Sequence, residues 1–159
     1  EWYIDAAFGV HPDFKSQTGA VMLFKGGKGS MQAVSSKQKL NTSSSTIAEF
    51  VVVDDALQLV LLTSLFLKEQ GYTASENIVY QDNKSAVLLE HNGSKSAGKC
   101  TCTLNIRYFM INNKVGRGNV QIKYCPTDKM VGDYMSTALQ GMKFGNFCDC
   151  IMGKTKFGK

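Results

Sequence analysis

Four acids stand where acids are awkward. Asp5 lies inside an apolar stretch, between Ile4 and Ala6. Strand interiors disfavour Asp, and a buried charge needs a partner or a metal. Glu49 opens a long apolar segment, Asp82 closes the short run Ile78-Val79-Tyr80-Gln81, and Asp133 follows the last strand-like stretch. Strand ends and adjoining helix starts converge in sheets with helices on their faces. Carboxylates brought to one spot repel each other unless cations neutralise them. Mg2+, or Mn2+ in its place, takes such oxygen ligands. Two such ions ~3.5–4 Å apart are the usual arrangement for in-line attack on a phosphodiester. Taken singly, each acid also has a structural reading. Glu49 has the place of the reciprocal acid in a capping box, Thr46-Ile47-Ala48-Glu49. Asp82 suits a helix N-cap. Asp133 suits a solvated helix face, and Asp5 an ordinary position near a sheet edge.

The elements that must position these acids follow from patterning. Trp2 to Phe8, Thr18 to Phe24 and Ser30 to about Lys37 read as three strands of an antiparallel meander. A glycine-rich turn, Lys25 to Gly29, joins the second and third. Phe50 to Leu67 is apolar nearly all round and predicts a helix buried on most faces, ended by Gly71. Asn77 to Gln81 is a fourth strand, and Asn83 to Glu90 a short helix opened by Asp82. His91 to Lys99 reads as a polar loop, Leu104 to Val115 as a helix, and Val120 to Cys125 as a fifth strand. Pro126-Thr127-Asp128 caps a predicted helix running to about Leu139. A last helix spans Met142 to Met152, ahead of a basic tail, 153–159, expected to be frayed. A meander followed by strands alternating with helices implies one mixed sheet flanked by helices.

The whole chain bounds the function. With 159 residues it predicts one domain, here 1–152 plus the tail. Hydrophobic residues make up 43% and charged residues 19%, which excludes a disordered or coiled-coil chain. No run of ~18 apolar residues is seen, so no membrane span and no membrane partner are expected. Nor is a leader peptide, and Glu1 in place of Met suggests a piece of something longer. The net charge of +5 is compatible with a polyanion. Only Arg107 and Arg117 are arginines, so phosphates would meet mostly the point charges of lysines. The cysteines are Cys100, Cys102, Cys125, Cys148 and Cys150. Their odd number predicts reduced thiols in an intracellular protein. The Cys-x-Cys spacing is tighter than zinc ligands usually show.

An ordered set of motifs carries a family resemblance. Tyr3-Ile4-Asp5-Ala6 is followed by Lys15-Ser16-Gln17-Thr18-Gly19, Ser35-Ser36-Lys37-Gln38-Lys39 and Ser44-Ser45-Thr46-Ile47-Ala48-Glu49-Phe50. Then come Tyr80-Gln81-Asp82-Asn83-Lys84-Ser85-Ala86, Asn105-Ile106-Arg107-Tyr108-Phe109, Cys125-Pro126-Thr127-Asp128 and Gly132-Asp133. Over residues 2 to 152 this resembles the ribonuclease H domain at the C-terminal end of copia-type retrotransposon Pol polyproteins. The resemblance implies an α/β, ribonuclease H-like fold with a five-stranded mixed sheet of order 3-2-1-4-5. It implies hydrolysis of the RNA strand of an RNA–DNA hybrid during reverse transcription, with two Mg2+ ions and no small-molecule cofactor. The family's metal-site acids fall on Asp5, Glu49, Asp82 and Asp133. By this likeness Asp5 bridges both ions, Glu49 and Asp82 hold the ion near the leaving 3′ oxygen, and Asp133 holds the ion that activates water. Asn83 and Ser85 are candidate contacts to the 2′-hydroxyl. Lys37, Lys39 and Lys84 are candidate phosphate contacts, against the simpler reading of solvated lysines. An attached reverse transcriptase and a cytoplasmic virus-like particle are the implied partner and location.

The chain also departs from the family. Ile47 stands where an acid is usual, Ala138 where Pro is usual, and Cys100, Cys102 and Thr103 where basic residues and a His are usual. Gly145 and Cys148 occupy expected Arg positions. A loop His that assists turnover in relatives has its nearest candidate in His91. These losses keep open a decayed copy, or a non-catalytic nucleic-acid-binding remnant. Retention of all four acids favours an active nuclease.

Overall fold

The computed structural model describes residues 1–72, 76–92 and 102–155. The apolar opening segment forms β1 (Trp2–Ala7), which lies at the centre of the sheet. β2 (Gln17–Leu23) and β3 (Ser30–Lys37) complete the antiparallel meander. On the other side of β1, β4 (Ile78–Gln81) and β5 (Gln121–Tyr124) pair in parallel. The order is β3-β2-β1-β4-β5, the ribonuclease H-like sheet that the sequence motifs imply.

Period-two alternation along β1 assigns the two faces. Trp2 and Ile4 meet Phe50, Val53, Leu57 and Val60 of α1 (Ser45–Glu69), with Ile111 of α3 (Cys102–Gly116) beside them. Tyr3, Val21 and Leu23 face the other way, onto Met130, Val131, Phe147 and Cys150. Phe50 and Ile4 are fully buried. Burial of such side chains contributes roughly 1.5–3 kcal/mol each.

Several local expectations are corrected. The N-cap of α1 is Ser44, whose hydroxyl accepts from the Ile47 N–H at 3.3 Å. The helix therefore starts before Thr46, and Glu49 is not a capping-box acid. The helix is also not buried on most faces. Its buried positions end at Val60, and Leu62, Leu65 and Phe66 are exposed because the sheet does not extend beneath them. By length and composition α1 would suffice to cross a bilayer, which corrects the expectation that the chain has no apolar run of that length. In this fold it serves as the helix covering one sheet face.

α2 (Lys84–Asn92) is capped by Asn83, not Asp82. The Asn83 Oδ1 accepts from the N–H groups of Ser85 and Ala86 at 3.0 and 3.1 Å. The predicted helix after β5 is broken into a 3-10 turn (Thr127–Lys129) and α4 (Asp133–Ser136). The break lets Met130 and Val131 insert into the core, both with no exposed surface. α5 (Gly141–Ile151) follows as expected. Residues 154 and 155 donate back to the Asp149 carbonyl oxygen, and 156–159 lie outside the described residues. Cys100 and most of the loop after His91 also lie outside them, as does the side chain of His91. Cys125, Cys148 and Cys150 are free thiols.

Candidate metal and nuclease site

β1 and β4 run parallel, so Asp5 near the end of one and Asp82 just past the end of the other share the same edge of the sheet. The third acid reaches them from across the chain. Asp5 pairs in register with Gly19 on β2. A Cβ on Gly19 would lie 2.5 Å from the Gly132 carbonyl oxygen and 2.6 Å from the Ser136 nitrogen. A Cβ on Gly132 would in turn lie 2.9 Å from the Tyr3 carbonyl oxygen. Two missing side chains thus let the segment 132–136 lie directly on the sheet. Asp133, the first residue of α4, is delivered to the same spot.

Among the described residues, Asp5, Asp82 and Asp133 each offer a carboxylate oxygen within 4.8 Å of the others. Asp5 and Asp133 are buried and Asp82 is half-buried. Glu49 is not part of that triad but stands behind it. Its Oε1 accepts from the Ala6 N–H at 3.3 Å, and its Oε2 from the Gln81 amide at 3.3 Å. Gln81 Nε2 also donates to the Glu49 main-chain oxygen at 2.7 Å. The structural readings of Glu49 and Asp82 as caps are thereby removed, and the solvated reading of Asp133 fails on its burial.

Among the described residues, each acid has one side-chain partner. The Ser136 hydroxyl donates to Asp5 Oδ2. Thr127 Oγ1 donates to Asp82 Oδ2 at 2.7 Å. The Lys143 ammonium pairs with Asp133 Oδ2. Gln81 serves Glu49. None of these partners was singled out from the sequence. Gln81 and Thr127 sit inside quoted motifs and Ser136 shortly after one, with no role assigned to any of them, and nothing local marks Lys143.

The electrostatics are those of crowded carboxylates. Burial above all pushes the Asp5 carboxyl up to about 6, with the charges of Asp133 and Asp82 adding and the Ser136 bond opposing. Burial, then Asp5 and Asp82, pushes Glu49 up to about 9. Burial raises Asp133 as well, against the pull of Lys143. A hard divalent cation matches this all-oxygen donor set and would relieve the mutual repulsion.

The basic residues are more dispersed. Lys84, two residues past Asp82, places its ammonium 4.8 Å from the centre of the Tyr124 ring. Lys37 pairs with Asp13 at 2.7 Å, and Lys39 is exposed. Ser85 is exposed beside Lys84, while Asn83 uses its carbonyl oxygen as the α2 cap. An open surface groove of about 510 Å³ adjoins the site, bordered by His11, Gln17, Ser35 and Ser136.

No family model matches the chain. Among curated proteins it is similar to the retrovirus-related Pol polyprotein from transposon TNT 1-94 of Nicotiana tabacum. Identity is 29% over 139 residues, covering 87% of this chain and 10% of that protein. The chain thus spans about a tenth of the length of that relative. Among solved structures it superposes on LC11-RNase H1 in complex with an RNA/DNA hybrid. The TM-score is 0.54 at 16% identity, covering 81% of this chain and 86% of that one. A second structure of LC11-RNase H1, isolated from compost by a metagenomic approach, gives 0.55 at 18% identity, covering 80% and 84%. At these identities the likeness to the solved structures is one of fold.

Proposed function

We propose that this chain is a metal-dependent nuclease of the ribonuclease H type, cutting the RNA strand of RNA–DNA hybrids for a copia-type retrotransposon. The observation that carries the reading is the convergence of Asp5, Asp82 and Asp133 within 4.8 Å on a ribonuclease H-like sheet. The Pol polyprotein relative supports the retrotransposon setting, and the hybrid held by LC11-RNase H1 supports the substrate class. The attached reverse transcriptase and the virus-like particle belong to the same proposal.

Asp5, Asp82 and Asp133 would hold Mg2+, with Glu49 joining from behind. Bound there, the metal supplies a lowered pKa for the attacking water and charge stabilisation at the phosphate. The chain's own residues do the positioning. Ser136 and Thr127 orient the Asp5 and Asp82 carboxylates, and Gln81 of β4 and the Ala6 N–H of β1 hold Glu49. Lys84 lies where a backbone phosphate next to Asp82 would meet a cation. Ser85 and Asn83 stand beside it as candidates for reading the 2′-hydroxyl.

The test is cleavage of a labelled RNA–DNA hybrid with Mg2+ or Mn2+, with single-stranded RNA and double-stranded DNA for comparison. Cleavage of the hybrid's RNA strand alone, lost in Asp82→Asn, is the expected result. Folded protein that leaves the hybrid intact in both metals overturns the enzyme reading and favours a non-catalytic remnant.

A further inference from the structure

We propose that Lys143 is a tethered counter-cation of the acid cluster. It competes with a divalent ion for Asp133 and so sets how much metal the site requires. The inference rests on the metal-site reading above, and no sequence motif pointed to this residue.

The geometry is specific. Asp133 belongs to the acid triad, and its side chain is only 10% exposed. The cation paired with it comes from a different helix, ten residues on. Packing places that helix. The Tyr134 and Phe144 rings stack at 5.2 Å, tying α5 to α4. Phe147 and Cys150 are buried in the cluster beneath the sheet. Lys143 is therefore held at the site by its backbone, with its ammonium between Asp133 and the Phe147 ring. Its side chain is 35% exposed, on a flexible four-carbon stem.

The same ammonium already has a second partner. Phe147 lies one helical turn further along α5, and its ring centre is 5.4 Å from the Lys143 ammonium. A lysine displaced from Asp133 keeps that cation–π partner. A divalent ion entering the triad must displace the ammonium or sit beside a like charge. Either raises the metal concentration needed for occupancy.

The test is calorimetric titration with Mn2+ at neutral pH and low salt. Wild type is compared with Lys143→Met, Lys143→Gln and Lys143→Arg. Lys154→Met, whose lysine pairs with Asp149 outside the site, controls for net charge. Circular dichroism checks folding, and the Gln variant serves if the Met variant does not fold. Loss of the charge is expected to tighten Mn2+ binding by about tenfold, the scale of a like charge removed at a partly exposed site. The Arg and Lys154 variants should bind close to wild type. Hybrid cleavage should reach half-maximum at correspondingly lower Mn2+ in the Met variant. Unchanged or weaker binding in both charge-removing variants overturns the proposal, and so does equal tightening in Lys154→Met. If wild type and both charge-removing variants bind no Mn2+, the metal-site reading falls together with this one. Binding without cleavage in wild type would overturn the activity alone.

Discussion

The Ser136 hydroxyl donates to Asp5 Oδ2, joining the central strand to a helix 131 residues further along the chain. Both side chains are buried. Removing a donor from a buried carboxylate leaves it short of a partner, at a cost of roughly 1.5–3 kcal/mol for a charged bond. Ser136→Ala should therefore lower metal-free stability by about 2 kcal/mol. Urea unfolding at neutral pH with a chelator measures it. A change indistinguishable from zero would mean that Asp5 finds other donors.

Gly19 and Gly132 set the spacing between the sheet and the acid-bearing segment. Gly19→Ala places a methyl group 2.5 Å from one main-chain oxygen, and neither backbone can yield cheaply. Overpacking of this kind typically costs about 1–3 kcal/mol. The variant should lose stability in that range and should bind Mn2+ more weakly, because Asp133 moves with the segment. Thermal melts and Mn2+ titration report the two effects separately. Loss of stability with intact Mn2+ binding would argue against the glycines as positioning devices.

Stability should depend on pH in a direction opposite to that of a salt-bridged protein. The folded-state carboxyls of Asp5 and Glu49 lie above their ordinary values, at about 6 and about 9. A raised acid favours the protonated fold. Its contribution is complete below the unfolded value and is lost as pH climbs through the folded one. The metal-free melting temperature should fall from pH ~5 to pH ~9, and saturating Mg2+ should recover much of the loss at the alkaline end. Glu49→Gln should flatten the upper part of that fall. A melting temperature that rises over this window in chelator would contradict the crowding.

Gln81 is fully buried and donates twice to Glu49, while its own Oε1 has no partner among the described residues. Gln81→Leu keeps approximate size and removes both donors. It should reduce hybrid cleavage roughly 10–100-fold, the range for groups that orient metal ligands. In a Glu49→Gln background the same change should add little, since coupled residues are not additive. Additive losses would assign Gln81 to packing alone.

What could be read from the chain by itself was short-range or carried by motif. Short apolar and aromatic runs bounded by turn residues mark the five strands, and a long apolar segment marks α1, because both signals are local to a single element. The four acids and the strand order came from ordered motifs. Tertiary packing decided which hydroxyl or amide caps α1 and α2. Ser44 and Thr46 are equivalent by local chemistry, as are Asp82 and Asn83. The choice depends on where the sheet holds the preceding strand. Freed from capping, Glu49 and Asp82 could turn to the site. The long helix expected after β5 gave way for the same kind of reason. Burying Met130 and Val131 while laying Gly132 on β1 outweighs the hydrogen bonds of a continuous helix. Partners such as Ser136 for Asp5 and Lys143 for Asp133 are contacts through space between elements. Their chemistry is visible only once both helices are docked on the sheet.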